Sequence, residues 1–276
     1  MAGDDWMRTE APSKAAVNLD PGTAHIARMY NYWLGGKDNY AADREAGDAA
    51  MRAYPDLVSS VRANRAFLAR TARYLAAGEG IRQYLDIGTG LPSANNTHEV
   101  AQDIAPDARI VYVDNDPIVL SHARALLTSR PEGFTAYIDA DLRDTGKILD
   151  GAAETLDFRR PVALMLIAVL HCIPDAAGPY RIVKTLVDAL PPGSFLAISH
   201  PPSDMTDGLN RAASSMGPKM SEPVTLRSKD QVTRFFDGLD LVEPGLVPIQ
   251  EWRPDSDLEA SAKAAMWGGV ARKPPS

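Results

Sequence analysis

The sequence predicts one α/β domain built on a doubly wound, mostly parallel sheet. From residue 79 onwards, strand-like and helix-like segments alternate at the spacing of repeated βαβ units. Residues 162–170 are apolar without alternation, as expected of a central strand that is covered on both faces. The first strand-like segment ends in Gly88-Thr89-Gly90, and a glycine-rich turn at that point indicates a ligand crevice at the carboxyl ends of the strands.

The predicted elements follow from hydrophobic periodicity and from turn and capping residues. Strands are predicted at residues 82–87, 109–114, 134–139, 162–170, 194–199, 239–247 and 264–272. Helices are predicted at residues 94–104, 117–129, 144–154 and 179–190, and a last one follows the Ser228–Gln231 capping box as far as residue 237.

Three further helices are predicted before the sheet. The first begins at Thr23 as its N-cap and ends at Gly35-Gly36, the second covers residues 41–52, and the third covers residues 55–77. The apolar stripe of the third helix also carries Asn64 and Thr71, so we expect this helix to line a polar cavity. The chain then divides into a flexible tail over residues 1–20, a helical cap over 21–78 and an α/β domain over 79–276.

Bulk composition disfavours several kinds of partner. The 276-residue chain carries a formal net charge of −7, which argues against nucleic acid. Cys172 is the only cysteine, so an intrachain disulfide is excluded, and no spacing typical of metal ligands occurs. The acidic N-terminus has no apolar signal segment, and the longest apolar run is too short to span a membrane. We therefore predict a cytoplasmic protein without a bound metal and without a nucleic-acid or membrane partner.

Asp86 decides which ligand the glycine-rich turn favours. It lies two positions before Gly88, where a carboxylate repels a pyrophosphate and attracts an ammonium or sulfonium group. S-adenosylmethionine (SAM) carries both of these cations, so the turn favours SAM over NAD or FAD. The candidate cofactor-binding residues here are Asp86, Gly88, Thr89 and Gly90. The alternative is a tight β–α turn that binds no ligand.

Two later strand ends carry further carboxylates. Asp114 lies 26 residues past the first glycine of the turn, a spacing that suits a carboxylate accepting both ribose hydroxyls. Asn115 follows it, and Asp116 is placed to be the N-cap of the next helix. Asp141 can accept the exocyclic amine of adenine while Leu142 packs beside the base. The alternative for Asp114, Asn115 and Asp116 is that all three are only turn residues. The alternative for Asp141 is that it belongs to an acidic surface loop.

The apolar strand at residues 162–170 leads to the last candidates. Ala168 lies at its ligand edge, and His171 follows the strand directly. His200 ends the next strand, and either histidine could act as a general base or orient a substrate. The alternative for each is a hydrogen-bonded residue in the wall of the site.

These four strand ends, in this order, resemble those of the class I SAM-dependent methyltransferases. Residues 28–40 (RMYNYWLGGKDNY), 61–68 and 193–200 further resemble a bacterial family of S-adenosyl methyltransferases whose substrates are largely undefined. The resemblance covers residues 18–273 and implies SAM as the cofactor, a seven-stranded sheet with its last strand antiparallel, and an N-terminal helical cap. Pro92 departs from the common pattern, because many SAM and NAD loops carry a third glycine there.

The N-terminal block also has a physical interpretation. It places four aromatic residues beside a Gly35-Gly36 hinge: Tyr30, Tyr32, Trp33 and Tyr40. Such a segment can close over a cofactor and present aromatic faces to a sulfonium, and we expect Tyr32 to do so. Arg62 and Arg65 are placed to reach the SAM carboxylate or an acidic substrate, and Arg65 is the candidate cofactor-binding residue. The alternative for the aromatic residues is that they only pack the cap onto the sheet. The alternative for the arginines is that their side chains are only exposed to solvent.

Together these observations predict methyl transfer from SAM to a small-molecule acceptor. Such a transfer is an in-line displacement at a carbon that is already activated, so the protein mainly aligns the reactants and excludes water. Two alternatives stay open: a non-catalytic SAM-binding or sensor protein, and an NAD(P)-dependent oxidoreductase built on the same sheet. The sequence defines neither the acceptor nor the oligomeric state.

Overall fold

A mostly parallel sheet of eight strands forms the centre of the fold. The computed structural model describes residues 20–126, 129–217, 220 and 223–275. The strands are β1 (Gln83–Ile87), β2 (Arg109–Asp114), β3 (Phe134–Asp139), β4 (Ala163–Ile167), β5 (Phe195–His200), β6 (Asp240–Leu241), β7 (Val247–Pro248) and β8 (Trp267–Arg272). Their order across the sheet is β3-β2-β1-β4-β5-β8-β6, and β7 also pairs with β8. The order of strands reverses between β1 and β4, and ligands of this kind of sheet bind at such a switch point.

The predicted doubly wound fold is confirmed, but the strand count of seven is wrong. The predicted strand at residues 239–247 is divided into β6 and β7, which pair with opposite ends of the antiparallel strand β8. Pro244 has no N–H to donate to a ladder, and Gly245 has a φ of +89°. A hydrogen bond of 2.8 Å from Gly245 N to Val242 O closes a turn between the two short strands.

Helices cover both faces of the sheet. They are α1 (Ile26–Trp33), α2 (Ala41–Ala53), α3 (Leu57–Arg73), α4 (Thr97–Ile104), α5 (Pro117–Leu126), α6 (Thr145–Ala153), α7 (Pro179–Asp188), α8 (Asp207–Met216), α9 (Lys229–Thr233) and α10 (Asp257–Ala260). Neighbouring strand residues serve two separate cores: Leu85 and Leu164 pack in one, and Tyr84 and Met165 in the other. Within the described ranges, no helix is long and apolar enough to cross a membrane.

Several elements begin or end a few residues from their predicted bounds. α1 begins after His25 rather than after Thr23, because the buried carboxylate of Asp43 accepts a hydrogen bond from His25 N at 2.9 Å. α4 begins three residues later than predicted, because Asn96 and Glu99 form a capping box. β4 ends early, and its chain continues into a 3₁₀ turn at Leu170–Cys172.

The helices before the sheet share an apolar core with a later part of the chain. Met29 and Trp33 of α1 and Ala46 of α2 cluster with Leu209 and Met216 of α8. The cap over residues 21–78 therefore depends on α8 for its packing, and its boundary at residue 78 stays a prediction. The predicted tail over residues 1–20 lies outside the described residues, apart from Asp20.

Candidate cofactor and acceptor site

A cavity of about 540 Å³ lies at the carboxyl ends of β1, β2, β3 and β4. This volume is within the range of small-molecule sites, roughly 300–1,000 Å³. One wall consists of the segments that follow the four strands, and the opposite wall consists of α1, α3 and residues 34–36. The cavity therefore lies between the sheet and the cap, at the switch point of the fold.

The glycine-rich turn forms part of the sheet wall. Gly88 has a φ of +75° and Gly90 a φ of +67°, which is the left-handed region that favours glycine. At Gly88 the packing is also restrictive, because an added β-carbon would lie 2.3 Å from Val169 Cγ2. Gly88 N donates to Val113 O at 2.8 Å, and Gly90 N donates to Asp114 Oδ2 at 2.8 Å. The turn is thus fastened to the end of β2.

Asp86 is a buried carboxylate in this wall. Its Oδ2 accepts a hydrogen bond of 2.6 Å from Thr97 Oγ1. Burial raises the pKa of Asp86 to about 6, although the bond from Thr97 opposes this change. At neutral pH the group is therefore anionic in a poorly solvated place, which favours a cationic partner.

Asp114 is the second buried carboxylate and ends β2. Its Oδ2 is held by Gly90 N, and its Oδ1 accepts from Asp116 N at 2.9 Å. Burial raises the pKa of Asp114, whereas these two N–H donors lower it. Asp116 is the predicted cap of α5, and its Oδ1 accepts from Ile118 N at 2.8 Å. The carboxylate of Asp114 is thereby fixed in orientation, and each oxygen keeps a further lone pair for a ligand.

The end of β3 supplies a more solvated acidic group. Asp141 Oδ1 accepts from Arg143 N at 2.8 Å, and Asp141 Oδ2 accepts from Asn115 Nδ2 at 3.2 Å. Leu142 is buried beside them and lines the cavity. The predicted residues Asn115, Asp141 and Leu142 therefore meet at one end of the cavity.

Ala168 follows β4 in an unusual backbone conformation, with a φ of +52°. A left-handed conformation costs an alanine about 1–2 kcal/mol. Ala168 N donates to both the carbonyl oxygen and the Oγ of Ser199, at 3.1 and 3.0 Å. The Ser199 hydroxyl in turn donates to Asn64 Oδ1 at 2.5 Å, and Asn64 Nδ2 donates to Tyr30 Oη at 2.8 Å. A continuous chain of hydrogen bonds thus joins the cap to the strained end of β4.

Arg65 lies in the cap wall, one residue after Asn64. One of its terminal nitrogens donates to the carbonyls of Ala94 and Asn95, at 3.0 and 3.1 Å. Its Nε is buried and has no hydrogen-bond partner among the described residues. An unsatisfied guanidinium nitrogen on a residue that lines the cavity suits an anionic ligand group.

The sequence profile of a family described as S-adenosyl methyltransferase matches residues 12–274. The chain belongs to this family. Membership confirms three predictions made from the sequence, namely the class I type of fold, SAM as the cofactor and the assignment to the methyltransferases. Membership in a methyltransferase family also decides against the alternative that the sequence left open, an NAD(P)-dependent oxidoreductase.

Two solved structures of bacterial proteins are similar to this chain over more than nine-tenths of its length. A DUF574 family protein from Streptomyces avermitilis MA-4680 is 46% identical, with a TM-score of 0.89, and the match covers 92% of this chain and 99% of that protein. A proposed methyltransferase from Thermobifida fusca YX is 37% identical, with a TM-score of 0.85 and coverage of 96% and 99%.

A relative with a named reaction is more distant. The trans-aconitate 2-methyltransferase of Methylobacterium radiotolerans is 28% identical over 180 residues. The match covers 63% of this chain and only 61% of the length of that protein.

Tyr32 is not among the residues that line the cavity, so its predicted contact with the cofactor stays a prediction. Its hydroxyl donates to Asp48 at 2.7 Å, between α1 and α2. Trp33 is buried in the cap core and donates to Gly47 O at 3.3 Å. Tyr30, on a different face of α1, lines the cavity instead. The aromatic block therefore divides between docking the cap and lining the site.

His171 and His200 also lie outside the cavity wall, so the structure gives no support for the predicted proton-transfer roles. His200 is fully buried, with its Nδ1 2.9 Å from Pro201 O and its Nε2 2.9 Å from an Arg227 nitrogen. Burial lowers the pKa of His171 to about 4, and the charge of Arg227 acts in the same direction. Burial likewise holds the pKa of His200 well below its usual range. Both rings are therefore buried and neutral at neutral pH.

Sequence reasoning missed two polar residues of the cap that line the cavity. His25 precedes α1, and Asn31 belongs to the YNYWLGGKDN block. Asn31 Oδ1 accepts from Asp38 N at 3.1 Å and from Asn39 Nδ2 at 3.0 Å. The signal for Asn31 in the sequence was Gly36 in the same block. The structure shows why glycine is needed there, because an added β-carbon would be 2.2 Å from Asn31 Nδ2. No local pattern marks His25.

Proposed function

We propose that this protein transfers a methyl group from SAM to a small-molecule acceptor, with the helical cap closing over the reactants. The observation that carries the proposal is one cavity in which the glycine-rich turn, three strand-end carboxylates and the cap converge. A site of this composition binds a nucleoside with a cationic side arm and keeps it out of bulk water.

The residues of the cavity fit each part of SAM. Asp114 is fixed by two backbone donors and keeps lone pairs for the ribose hydroxyls. Asp141 is suited to the adenine amine, with Leu142 beside the base. Asp86 suits the ammonium or sulfonium, and the unpartnered Nε of Arg65 suits the carboxylate. Glycine at positions 88 and 90, Thr89 between them and Ala168 complete the proposed cofactor wall.

SAM, when bound, supplies an activated methyl group, so the chain needs to orient and enclose rather than to activate a nucleophile. The hydrogen-bonded chain from Tyr30 through Asn64 to Ser199 fixes the cap relative to the end of β4. This fixed wall limits the positions that an acceptor can occupy, which lowers the entropic cost of alignment. The cap excludes water from the same volume. We assign no proton transfer to His171 or His200.

The acceptor side of the cavity supports a small, partly apolar molecule. Its lining combines apolar side chains of the cap with a segment near residue 220, namely Leu34, Leu68, Met220, Pro223 and Val224. Polar atoms come from Tyr30 and Asn31 on α1. The name of the trans-aconitate 2-methyltransferase states a small-molecule acceptor for that relative, which agrees with this class but does not identify the compound used here.

Isothermal titration with SAM, with its demethylated product S-adenosylhomocysteine (SAH) and with NAD(H) tests the cofactor. We expect micromolar binding of SAM and SAH, a loss of that binding in Asp114→Ala, and no binding of NAD(H). Asp139→Ala is the matched control, because Asp139 ends β3 in register with Asp114 but is exposed and does not line the cavity. Absence of SAM binding to the wild type would contradict the proposal.

An acceptor screen then tests catalysis. The wild type is incubated with SAM and pools of small amines, phenols, carboxylic acids and thiols, and formation of SAH is measured. Acceptor-dependent SAH formation supports a methyltransferase. Tight SAM binding without turnover of any acceptor favours the remaining alternative, a non-catalytic SAM-binding or sensor protein.

A further inference from the structure

His25 lies where the cap meets the carboxyl end of β2. Its backbone N donates to Asp43 Oδ1 at 2.9 Å, and its ring Nδ1 lies 3.0 Å from Asp116 Oδ2. Both carboxylates are buried, and the guanidinium of Arg28 lies within 4 Å of each of them. Asp43 therefore fixes the backbone of His25 from the cap side, and Asp116 faces its imidazole from the sheet side.

The second ring nitrogen of His25 is free for a ligand. The side chain is 28% exposed and lines the cavity, and no described residue contacts Nε2 within hydrogen-bond distance. Since Nδ1 faces a carboxylate, Nδ1 carries the proton of the neutral ring, and Nε2 is then an acceptor. In the charged ring Nε2 is a donor, and a hydroxyl group satisfies either state because it can donate and accept.

The neighbours of His25 define the part of the ligand that it meets. Asp116, its ring partner, donates its backbone N–H to Asp114 Oδ1 at 2.9 Å. His25 and Asp114 line the same cavity, and Asp116 contacts both of them. A carboxylate with free lone pairs and a ring nitrogen that line one cavity, linked through Asp116, match a sugar diol.

We propose that His25 binds a ribose hydroxyl of the cofactor from the cap side, opposite Asp114. This inference rests on the proposed function, since it takes the ligand near Asp114 to be the adenosine part of SAM. One consequence is that the cofactor contacts both the sheet and the cap. Binding of the cofactor then fastens α1 over the site before the acceptor reacts.

Substitutions at His25 separate the ligand contact from the contact with Asp116. Asparagine places its amide nitrogen where Nδ1 lies, so His25→Asn keeps a donor for Asp116 and removes the cavity nitrogen. Glutamine is longer, so His25→Gln keeps a polar atom near the position of Nε2. His122→Asn is the matched control, because His122 is 33% exposed, has its Nδ1 3.8 Å from Asp38 and does not line the cavity.

Titration with SAH gives the first result. We expect His25→Asn to raise the Kd for SAH about three- to tenfold, as for the loss of one hydrogen bond. We expect His25→Gln to retain part of the affinity and His122→Asn to leave it unchanged. The thermal midpoint of each ligand-free variant shows that the losses do not come from unfolding. Equal affinity of His25→Asn and the wild type would overturn the inference while leaving the proposed function intact.

Ligands without one hydroxyl give the second result. The 2′-deoxy and 3′-deoxy derivatives of SAH are titrated into the wild type and His25→Asn. If His25 contacts a ribose hydroxyl, removing that hydroxyl weakens binding to the wild type more than binding to His25→Asn, because the contact with Asp114 is lost in both proteins but the contact with His25 only in the wild type. Equal losses in both proteins for both derivatives would overturn the assignment to ribose. Failure of the wild type to bind SAH at all would overturn the proposed function and this inference together.

Discussion

Gly88→Ala tests whether the turn at the cavity requires a residue without a β-carbon. An ideal β-carbon at Gly88 would lie 2.3 Å from Val169 Cγ2 and 2.5 Å from Val169 Cβ, and the φ of Gly88 is +75°. The left-handed backbone costs an alanine about 1–2 kcal/mol. Overlap with a β-branched side chain that has little rotamer freedom adds about 1–3 kcal/mol. We therefore expect the free energy of unfolding to fall by about 2–5 kcal/mol.

Gly90→Ala separates the two contributions. Gly90 has a φ of +67°, but no heavy atom lies within 4 Å of an ideal β-carbon there. Alanine at this position meets only the backbone cost, so the difference between the two variants isolates the contact with Val169, at about 1–3 kcal/mol. Urea unfolding followed by circular dichroism, with the slope of each transition compared, gives the free energies.

Variants of Val169 complete a double-mutant cycle with Gly88→Ala. Val169→Ala removes the γ-carbons but keeps the β-carbon at 2.5 Å, so we expect partial rescue. Val169→Gly removes both obstacles and should rescue more. The reasoning is refuted if the free energies of unfolding of Gly88→Ala and Gly90→Ala differ by less than about 0.5 kcal/mol. It is also refuted if the coupling energy between positions 88 and 169 is smaller than about 0.5 kcal/mol.

Three further predictions concern charges in and behind the cavity. The pKa of Asp86 is about 6, so SAM affinity should fall by up to about tenfold per unit as the pH drops below 6, and titrations of Asp86→Asn should lack this slope. Arg65→Met should raise the Kd for SAM by about tenfold or more, whereas the same change at the exposed Arg62, one turn earlier, should not. Because the folded pKa of His171 is about 4, below the unfolded value of 6.5, its contribution to stability is complete above pH 6.5 and is lost as the pH falls. The share of His171 in the loss of unfolding free energy between pH 6.5 and pH 5 is about 1.6 kcal/mol, so His171→Asn should lessen the loss seen in urea unfolding by that amount without changing SAM affinity. An unchanged pH dependence of stability in His171→Asn would contradict the depressed pKa of His171.

The part of the site that sequence reasoning predicted is the part that depends only on topology. In a parallel sheet the carboxyl ends of all strands meet at one edge, so a carboxylate at a strand end is placed as soon as the strand is recognised. Asp86, Asp114 and Asp141 were located in this way, and all three line the cavity. The bounds of β2 and β3 also agree in full, because each strand is apolar or alternating between clear turn residues.

The predicted site residues that do not line the cavity have partners that lie far away in sequence. His200 is turned away from the cavity by a buried arginine 27 residues later, Arg227, which also donates to the carbonyls of Leu170 and Ile173. Tyr32 is held by Asp48 on the next helix. Tyr32 lies on a helix whose rotation about its axis is set by tertiary packing, and the direction of the His200 ring at the end of β5 is set by Arg227. Spacing in the sequence contains no information about that rotation.

Asn64 is the instructive exception, because a sequence pattern did predict its long-range role. A polar residue on an otherwise apolar helical stripe must find partners, and both atoms of this amide find them on different elements. One partner, Tyr30, belongs to the cap, and the other, Ser199, holds the backbone of Ala168 at the end of β4. The polar residue in the apolar stripe, Asn64, therefore lies at the point where the cap is hydrogen-bonded to the sheet. A buried polar residue that breaks a pattern is informative for the same reason that it is costly, since its partners must come from elsewhere in the fold.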